Sequence, residues 1–243
     1  MGNPFFNFKQ FSIRQEHCAM KVCTDASIFG AWVASKCNNA QSVLDIGTGT
    51  GLLMLMLAQK TTAHIHGIEI DSLCEVDLKQ NINSSPWAHR LSLTHGDARS
   101  TIFPSKFDLI VSNPPFFEND LKSRADQRNI AMHGTHLSFE QLLQITIANS
   151  NERGFLAVLL PFSRKDVFAQ LATEKGFSLK ERLLIRESHR HPYFRTCDWY
   201  KINSEREREK AETGIQNELT IRDEKGNYTP EFTELLKDYY LYL

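Results

Sequence analysis

The sequence predicts an α/β protein built on a doubly wound, mostly parallel sheet with helices on both faces. Three observations point there. From Ser42 onward, short apolar runs alternate with helical patterns, as βα units require. One of those runs hands over to a helix through Gly47, Gly49 and Gly51, the kind of loop found at the carboxyl edge of such sheets. The 243 residues, 41% hydrophobic and 23% charged, supply one large core, and no Gly/Ser linker or fixed-period repeat divides them, so 1–243 reads as a single domain.

Taken in order, residues 1–40 form an N-terminal extension. Residues 42–47 read as a buried strand, 51–60 as a helix, 64–70 as a strand and 72–83 as a helix, with further strands at 91–94 and 107–112. Apolar residues at Leu142, Leu143, Ile145, Ile147 and Ala148 predict a partly buried helix over 139–149, and 155–160 is a continuous apolar strand closed by Pro161. A helix over 164–175 stops at Gly176. Strands are expected at 178–186 and 196–203, with a short edge strand at 218–222 before the turn Lys225-Gly226-Asn227. The mixed-charge stretch 205–212 reads as an exposed helix or loop. Phe232, Leu235, Leu236, Tyr239 and Tyr240 recur at helical spacing, so 231–243 reads as a helix docked on the core, and 187–243 as C-terminal strands plus that helix.

Composition narrows the function classes. Twenty-eight basic against 29 acidic residues give a net charge of -1, so any nucleic-acid contact must be local. One candidate stretch is 180–210, with nine Lys/Arg and six Asp/Glu. The longest apolar run, Leu52 to Ala58, falls far short of the roughly 20 residues that cross a bilayer. The opening MGNPFFNFKQF lacks a signal-peptide apolar region and has Phe6 where a myristoylation motif needs Ser or Thr. A cytoplasmic protein without membrane contact is expected. Five scattered cysteines with no C-x-x-C pair fit a reducing compartment, and the histidine pairs 64/66, 133/136 and 189/191 lack a third ligand, so no metal is expected.

The glycine loop reads Asp45-Ile-Gly47-Thr48-Gly49-Thr-Gly51-Leu52. A dinucleotide fingerprint, G-x-G-x-x-G, needs glycine at 52, where Leu52 stands, so a dehydrogenase loses ground. An acidic residue ahead of G-x-G-x-G, with Glu69 closing the next strand and Asp97-Ala98 after the third, resembles instead the cofactor site of class I methyltransferases. The resemblance implies a Rossmann-like, seven-stranded sheet and S-adenosyl-L-methionine as cofactor. It assigns the cofactor to Asp45, Gly47, Thr48, Gly49, Gly51, Leu52, Glu69, Asp97, Ala98 and Asn113, with Glu69 accepting ribose hydroxyls and Asp97 the adenine amine.

Strand 107–112 ends in Asn113-Pro114-Pro115-Phe116, at the same edge of the sheet. An exocyclic amine is a poor nucleophile because its lone pair is delocalised. If the Asn113 side-chain oxygen and the Pro114 carbonyl accept its two hydrogens, the nitrogen is drawn toward sp³ geometry with its lone pair aimed at a methyl donor. Pro115 fixes its own φ and biases Pro114 to extended backbone, while Phe116 offers a flat face to the target ring. No general base is needed. Alignment and placed dipoles carry the rate.

The opening FKQFSIRQEHCAMKVCTD (8–25), the segment LTIRDEKGNYTPEF (219–232) and the ending LKDYYLYL (236–243) together resemble the bacterial tRNA1(Val) adenine-37 N6-methyltransferases. That resemblance implies transfer to N6 of an adenine in a tRNA anticodon stem-loop, with no obligate protein partner, and implies that the segment with Lys21 and Thr24 closes over the methionine end of the cofactor. Arg182, Arg186, Arg190 and Arg195 are candidates for one phosphate-binding surface, Arg124 and Arg128 for a clamp on the loop backbone. Tyr193 and Phe194 either stack on a flipped nucleotide or sit in the core. Other acceptors for the same chemistry are guanine N2 of ribosomal RNA and a protein glutamine amide. A reading of another class is a non-catalytic RNA-binding protein on a methyltransferase scaffold.

Overall fold

The computed structural model describes residues 3–114, 137–203 and 214–243. Its centre is an eight-stranded sheet in the order β10-β8-β9-β7-β6-β3-β4-β5. These strands are β3 (Ser42–Ile46), β4 (His64–Glu69), β5 (Leu91–His95), β6 (Phe107–Ser112), β7 (Ser150–Pro161), β8 (Phe177–Arg186), β9 (Tyr193–Ile202) and β10 (Ile215–Thr220). All run parallel except β9, which is antiparallel to both β7 and β8. The doubly wound α/β class is as the sequence predicts. The eighth strand is β10, which begins three residues earlier than the expected edge strand and pairs with β8 from Ile215↔Glu181 to Thr220↔Arg186.

Helices cover both faces because the inner strands alternate between two apolar sides. Val43, Leu109, Val111, Ala157 and Leu159 face one cluster with α1 (Thr24–Ala34), α2 (Leu52–Lys60) and α3 (Glu75–Asn83). Leu44, Ile110, Leu156, Val158 and Leu160 face the other, closed by α4 (Phe139–Asn149) and α5 (Lys165–Glu174). The apolar run Leu52 to Ala58 is explained by burial on all sides, with every residue from Leu52 through Ala58 buried. α1 packs so closely on α2 that a Cβ at Gly30 would lie 2.6 Å from the Met56 sulfur. Among the described helices none is long and apolar enough to cross a membrane.

The two ends of the chain meet. β1 (Phe5–Asn7) and β2 (Ser12–Arg14) form a hairpin whose Phe6 and Phe8 pack on Tyr240, while Phe8 and Phe11 stack 4.6 Å apart. The C-terminal helix α6 (Pro230–Leu236) starts at an N-cap Thr229 and stops sooner than the sequence pattern suggests. It still docks as expected. Phe232, Leu236 and Tyr239 are buried, and the Tyr239 hydroxyl donates to the Met56 carbonyl at 3.1 Å. Two of the scattered cysteines, Cys18 and Cys74, form a disulfide of which the sequence carries no sign, leaving Cys23, Cys37 and Cys197 as thiols.

Candidate active site

Strand order places the site. The chain leaves β3 toward β4 and β5 on one side, then returns through β6 to β7 on the other, so a crevice opens at the carboxyl ends of β3 and β6. The loop leaving β3 turns through Gly47 at φ 72° and Gly49 at φ 53°, conformations that side chains resist. That turn lets the Gly47 and Thr48 amides donate to the Ile68 carbonyl at 2.9 and 3.2 Å. The Gly49 amide donates to Glu69 Oε2 at 2.7 Å. Glu69 Oε1 accepts from the Ile70 and Asp71 amides, each at 2.9 Å, so the carboxylate at the tip of β4 is rigidly held.

One cleft gathers the loops after four strands. Its walls include Gly47, Thr48, Gly49 and Leu52 after β3, Glu69 at the end of β4, Asp97 and Ala98 after β5, and Asn113 and Pro114 after β6. A fifth wall comes from Cys18 to Val22 of the N-terminal segment, Lys21 included. Lys21 Nζ donates to the Gln15 and Glu16 carbonyls, and the Asn113 Nδ2 group contacts the Met20 sulfur at 3.7 Å.

Three predicted residues stand outside that lining. Gly51 is the N-cap of α2. Thr24 opens α1, and its hydroxyl engages the Tyr240 phenol. Asp45 lies fully buried beneath the loop, where Oδ2 accepts from the Thr48 hydroxyl at 2.7 Å and Oδ1 has no hydrogen-bond partner. Burial pushes the Asp45 carboxyl up from 3.8 to about 7, with the Thr48 hydrogen bond opposing and the charge of Glu69 reinforcing the shift. A carboxyl raised in the fold stabilises it below its ordinary pKa, and that contribution is lost as pH rises through the folded value. Relative to wild type, the Asp45→Asn variant is therefore expected to gain stability between about pH 4 and about pH 7, as read by denaturant titration across that range. Parallel wild-type and variant curves would contradict it.

Sequence reasoning missed Arg99. Its guanidinium forks onto Asp97, with Nε at 2.9 and 2.8 Å from the two carboxylate oxygens and Nη2 at 2.6 Å, and holds that carboxyl below the usual range. The only signal was an Asp-x-Arg spacing after β5. It also missed Met20, which no chemistry in the sequence singled out.

The basic candidates separate. Arg182 is corrected: it is buried, and its guanidinium pairs with the buried Asp198 at 2.8 and 2.6 Å, so it faces no phosphate surface. Arg195 pairs with Asp25 at 2.9 Å, and Arg186 reaches Glu218 at 3.2 Å while lying 5.0 Å from the Tyr193 ring centre. Arg190 is exposed. Tyr193 tilts against Phe162 at 5.4 Å, whereas Phe194 packs on the core. Pro115, Phe116, Arg124 and Arg128, and the stretch 205–212, lie outside the described residues. Among the described residues no group of His, Cys, Asp and Glu is arranged to hold a metal ion.

Comparison with known proteins agrees with this geometry. A family model described as Methyltransferase small domain matches residues 27–169. A predicted O-methyltransferase from Agrobacterium tumefaciens superposes with a TM-score of 0.67 at 14% identity, covering 87% of this chain and 95% of that one. P. horikoshii TYW2 in complex with MeSAdo gives a TM-score of 0.59 at 15% identity, over 84% of this chain and 74% of that one. The family model and the fold thus define a methyltransferase domain of the class I architecture. Two full-length relatives sharpen this. The tRNA1(Val) (adenine(37)-N6)-methyltransferase of Dyadobacter fermentans is 37% identical over 98% of both chains, and that of Trichodesmium erythraeum 38% identical over 99% of both. The chain belongs to the tRNA1(Val) (adenine(37)-N6)-methyltransferase family.

Proposed function

We propose that this protein transfers the methyl group of S-adenosylmethionine to the exocyclic N6 of adenine 37 in tRNA1(Val). The observation that carries the reading is the convergence of Asn113 and Pro114, the glycine loop and Glu69 on one cleft. The residues fit the cofactor. The Glu69 carboxylate, fixed by the Gly49, Ile70 and Asp71 amides, and the Asp97 carboxylate both line the cleft as acceptors for hydroxyl and amino groups. When bound, the cofactor supplies a methyl group on a sulfonium, which needs no strong base to leave.

The protein's part is placement. Asn113 Oδ1 and the Pro114 carbonyl accept the two hydrogens of the adenine amine and aim its lone pair. With Nδ2 turned toward Met20, the oxygen is the atom of Asn113 that remains to accept. Glu69 holds the ribose and Asp97, steadied by Arg99, the adenine end of the cofactor. In-line geometry then replaces acid–base catalysis. The guanine and glutamine acceptors are less supported, given the full-length kinship to adenine-37 enzymes.

The test uses labelled cofactor and two transcripts of the tRNA, one with adenine and one with inosine at position 37. Label is expected only in the first, since inosine lacks the amine; equal labelling would overturn the assignment. For the RNA, Arg190 and Arg186 remain the proposed phosphate contacts. Reversing the charge of Arg190 is expected to raise KM and reduce the salt slope of tRNA binding by about 0.7–0.9 per lost contact. An unchanged slope would place the binding face elsewhere.

A further inference from the structure

The Cys18–Cys74 disulfide has no part in the chemistry above. It joins cysteines 56 residues apart in sequence, with Cα atoms 4.4 Å apart, a separation such bridges accommodate. Both residues are buried, and both line the cofactor cleft.

The bond lies at one end of a strap. Cys74 is the N-cap residue of α3, just beyond Glu69. The strap is also fastened to α3 by Asp77, whose buried carboxylate accepts from Arg14 Nε at 3.0 Å and from the His17 amide at 2.6 Å. Asn81 donates to the Arg14 and Thr50 carbonyls at 2.8 and 2.9 Å, tying the strap to the glycine loop. At the far end Met20 meets Asn113. β3 lies between β4, which leads into α3, and β6, which Asn113 follows, and the strap from Cys18 to Met20 lines the same cleft as the glycine loop that closes β3.

Cys23, Cys37 and Cys197 remain thiols, and burial pushes Cys23 up to about 12 and Cys37 up to about 11 and raises Cys197 as well.

We infer that Cys18 and Cys74 form a reversible thiol–disulfide pair that sets how fast cofactor and its product enter and leave the cleft. The inference rests on the cofactor occupying this cleft, as in the function proposed above. Oxidation proceeds by exchange with a low-molecular-weight disulfide. One cysteine thiolate attacks a sulfur of that disulfide and expels one small thiolate. The second cysteine thiolate then attacks the resulting mixed disulfide and expels the other. The two cysteine protons end on the two released thiols, and a small dithiol reverses the exchange. In the disulfide the strap is pinned covalently across the cleft. In the dithiol the Arg14–Asp77 ion pair and hydrogen bonds hold it without a covalent link, and it lifts to let S-adenosylhomocysteine out.

The test uses the full-length protein equilibrated with dithiothreitol or with oxidised glutathione. Peptide mapping without reduction reports the linkage, and stopped-flow displacement reports the dissociation rate of S-adenosylhomocysteine. A Cys18–Cys74 linked peptide is expected in the oxidised sample, with release slowed about tenfold or more relative to the reduced one. Cys18→Ser, with Cys74→Ser as the second variant, is expected to release product at one rate in both buffers. Absence of the linked peptide, rates within about twofold of each other despite the link, or a redox difference that persists in both variants would overturn the inference. Failure of the reduced protein to bind S-adenosylhomocysteine at all would instead overturn the placement of the cofactor.

Discussion

Turnover by the Asn113→Ala variant is expected to fall about 100-fold or more, the scale lost when one preorganised polar group is removed from a reacting centre. Cofactor affinity is expected to change little, because in the proposed site Glu69 and the glycine loop, on the neighbouring strands, hold the cofactor. The combination is diagnostic. A loss confined to KM would mean that Asn113 only binds, and unchanged turnover would contradict its role as acceptor for the amine. Steady-state kinetics on the tRNA, paired with calorimetric titration of S-adenosylhomocysteine, separates these outcomes.

The second large effect falls on stability. Arg182 and Asp198 stand directly opposite on β8 and β9, both buried, and Asp198 also accepts from the Thr196 hydroxyl at 2.6 Å and the Tyr200 hydroxyl at 2.9 Å. The Arg182→Met variant keeps the apolar stem and deletes the charge, leaving a buried carboxylate with two hydroxyl donors. Removing one partner of a buried pair costs about 3–5 kcal/mol. For a chain of this length that corresponds to a fall of about 6–20 °C in Tm. Denaturant titration checks it, and a loss below about 1 kcal/mol, the range of an exposed pair, would show that the pair is solvated. The salt slope of tRNA binding is expected to stay unchanged in the same variant, since Arg182 faces no phosphate.

The parts of this molecule that could be read from sequence are those with a period or a spacing. Buried parallel strands are short apolar runs, and β3, β4, β6 and the inner part of β7 announce themselves as such. The spacing of Gly47, Gly49 and Gly51, with Glu69 and Asp97 each following a strand, foretells the cleft because each sits where the chain leaves the same edge of the sheet. α1 gave no such signal. Its residues from Ala26 to Ala34 are all buried, so no polar face marks a helical period. The hairpin of β1 and β2 has three residues per strand, too few for alternation to register.

Pairings distant in sequence were the least legible. Arg182 looks like a surface cation in a basic stretch until the antiparallel register of β8 and β9 sets it against Asp198. Cys18 and Cys74 look isolated until the strap folds back on α3. The same folding brings Met20 to Asn113, a contact across 93 residues that joins the N-terminal segment to the reacting edge.

The direction of the Asn113 carboxamide with both substrates bound decides whether the adenine amine is held for transfer. A structure with S-adenosylhomocysteine and an anticodon stem-loop measures this directly. The expected result is the adenine N6 within about 2.7–3.2 Å of both Asn113 Oδ1 and the Pro114 carbonyl, with the cofactor sulfur in line behind it. An amine pointing to solvent, or a carboxamide turned away and more than about 8 Å from that sulfur, would contradict it.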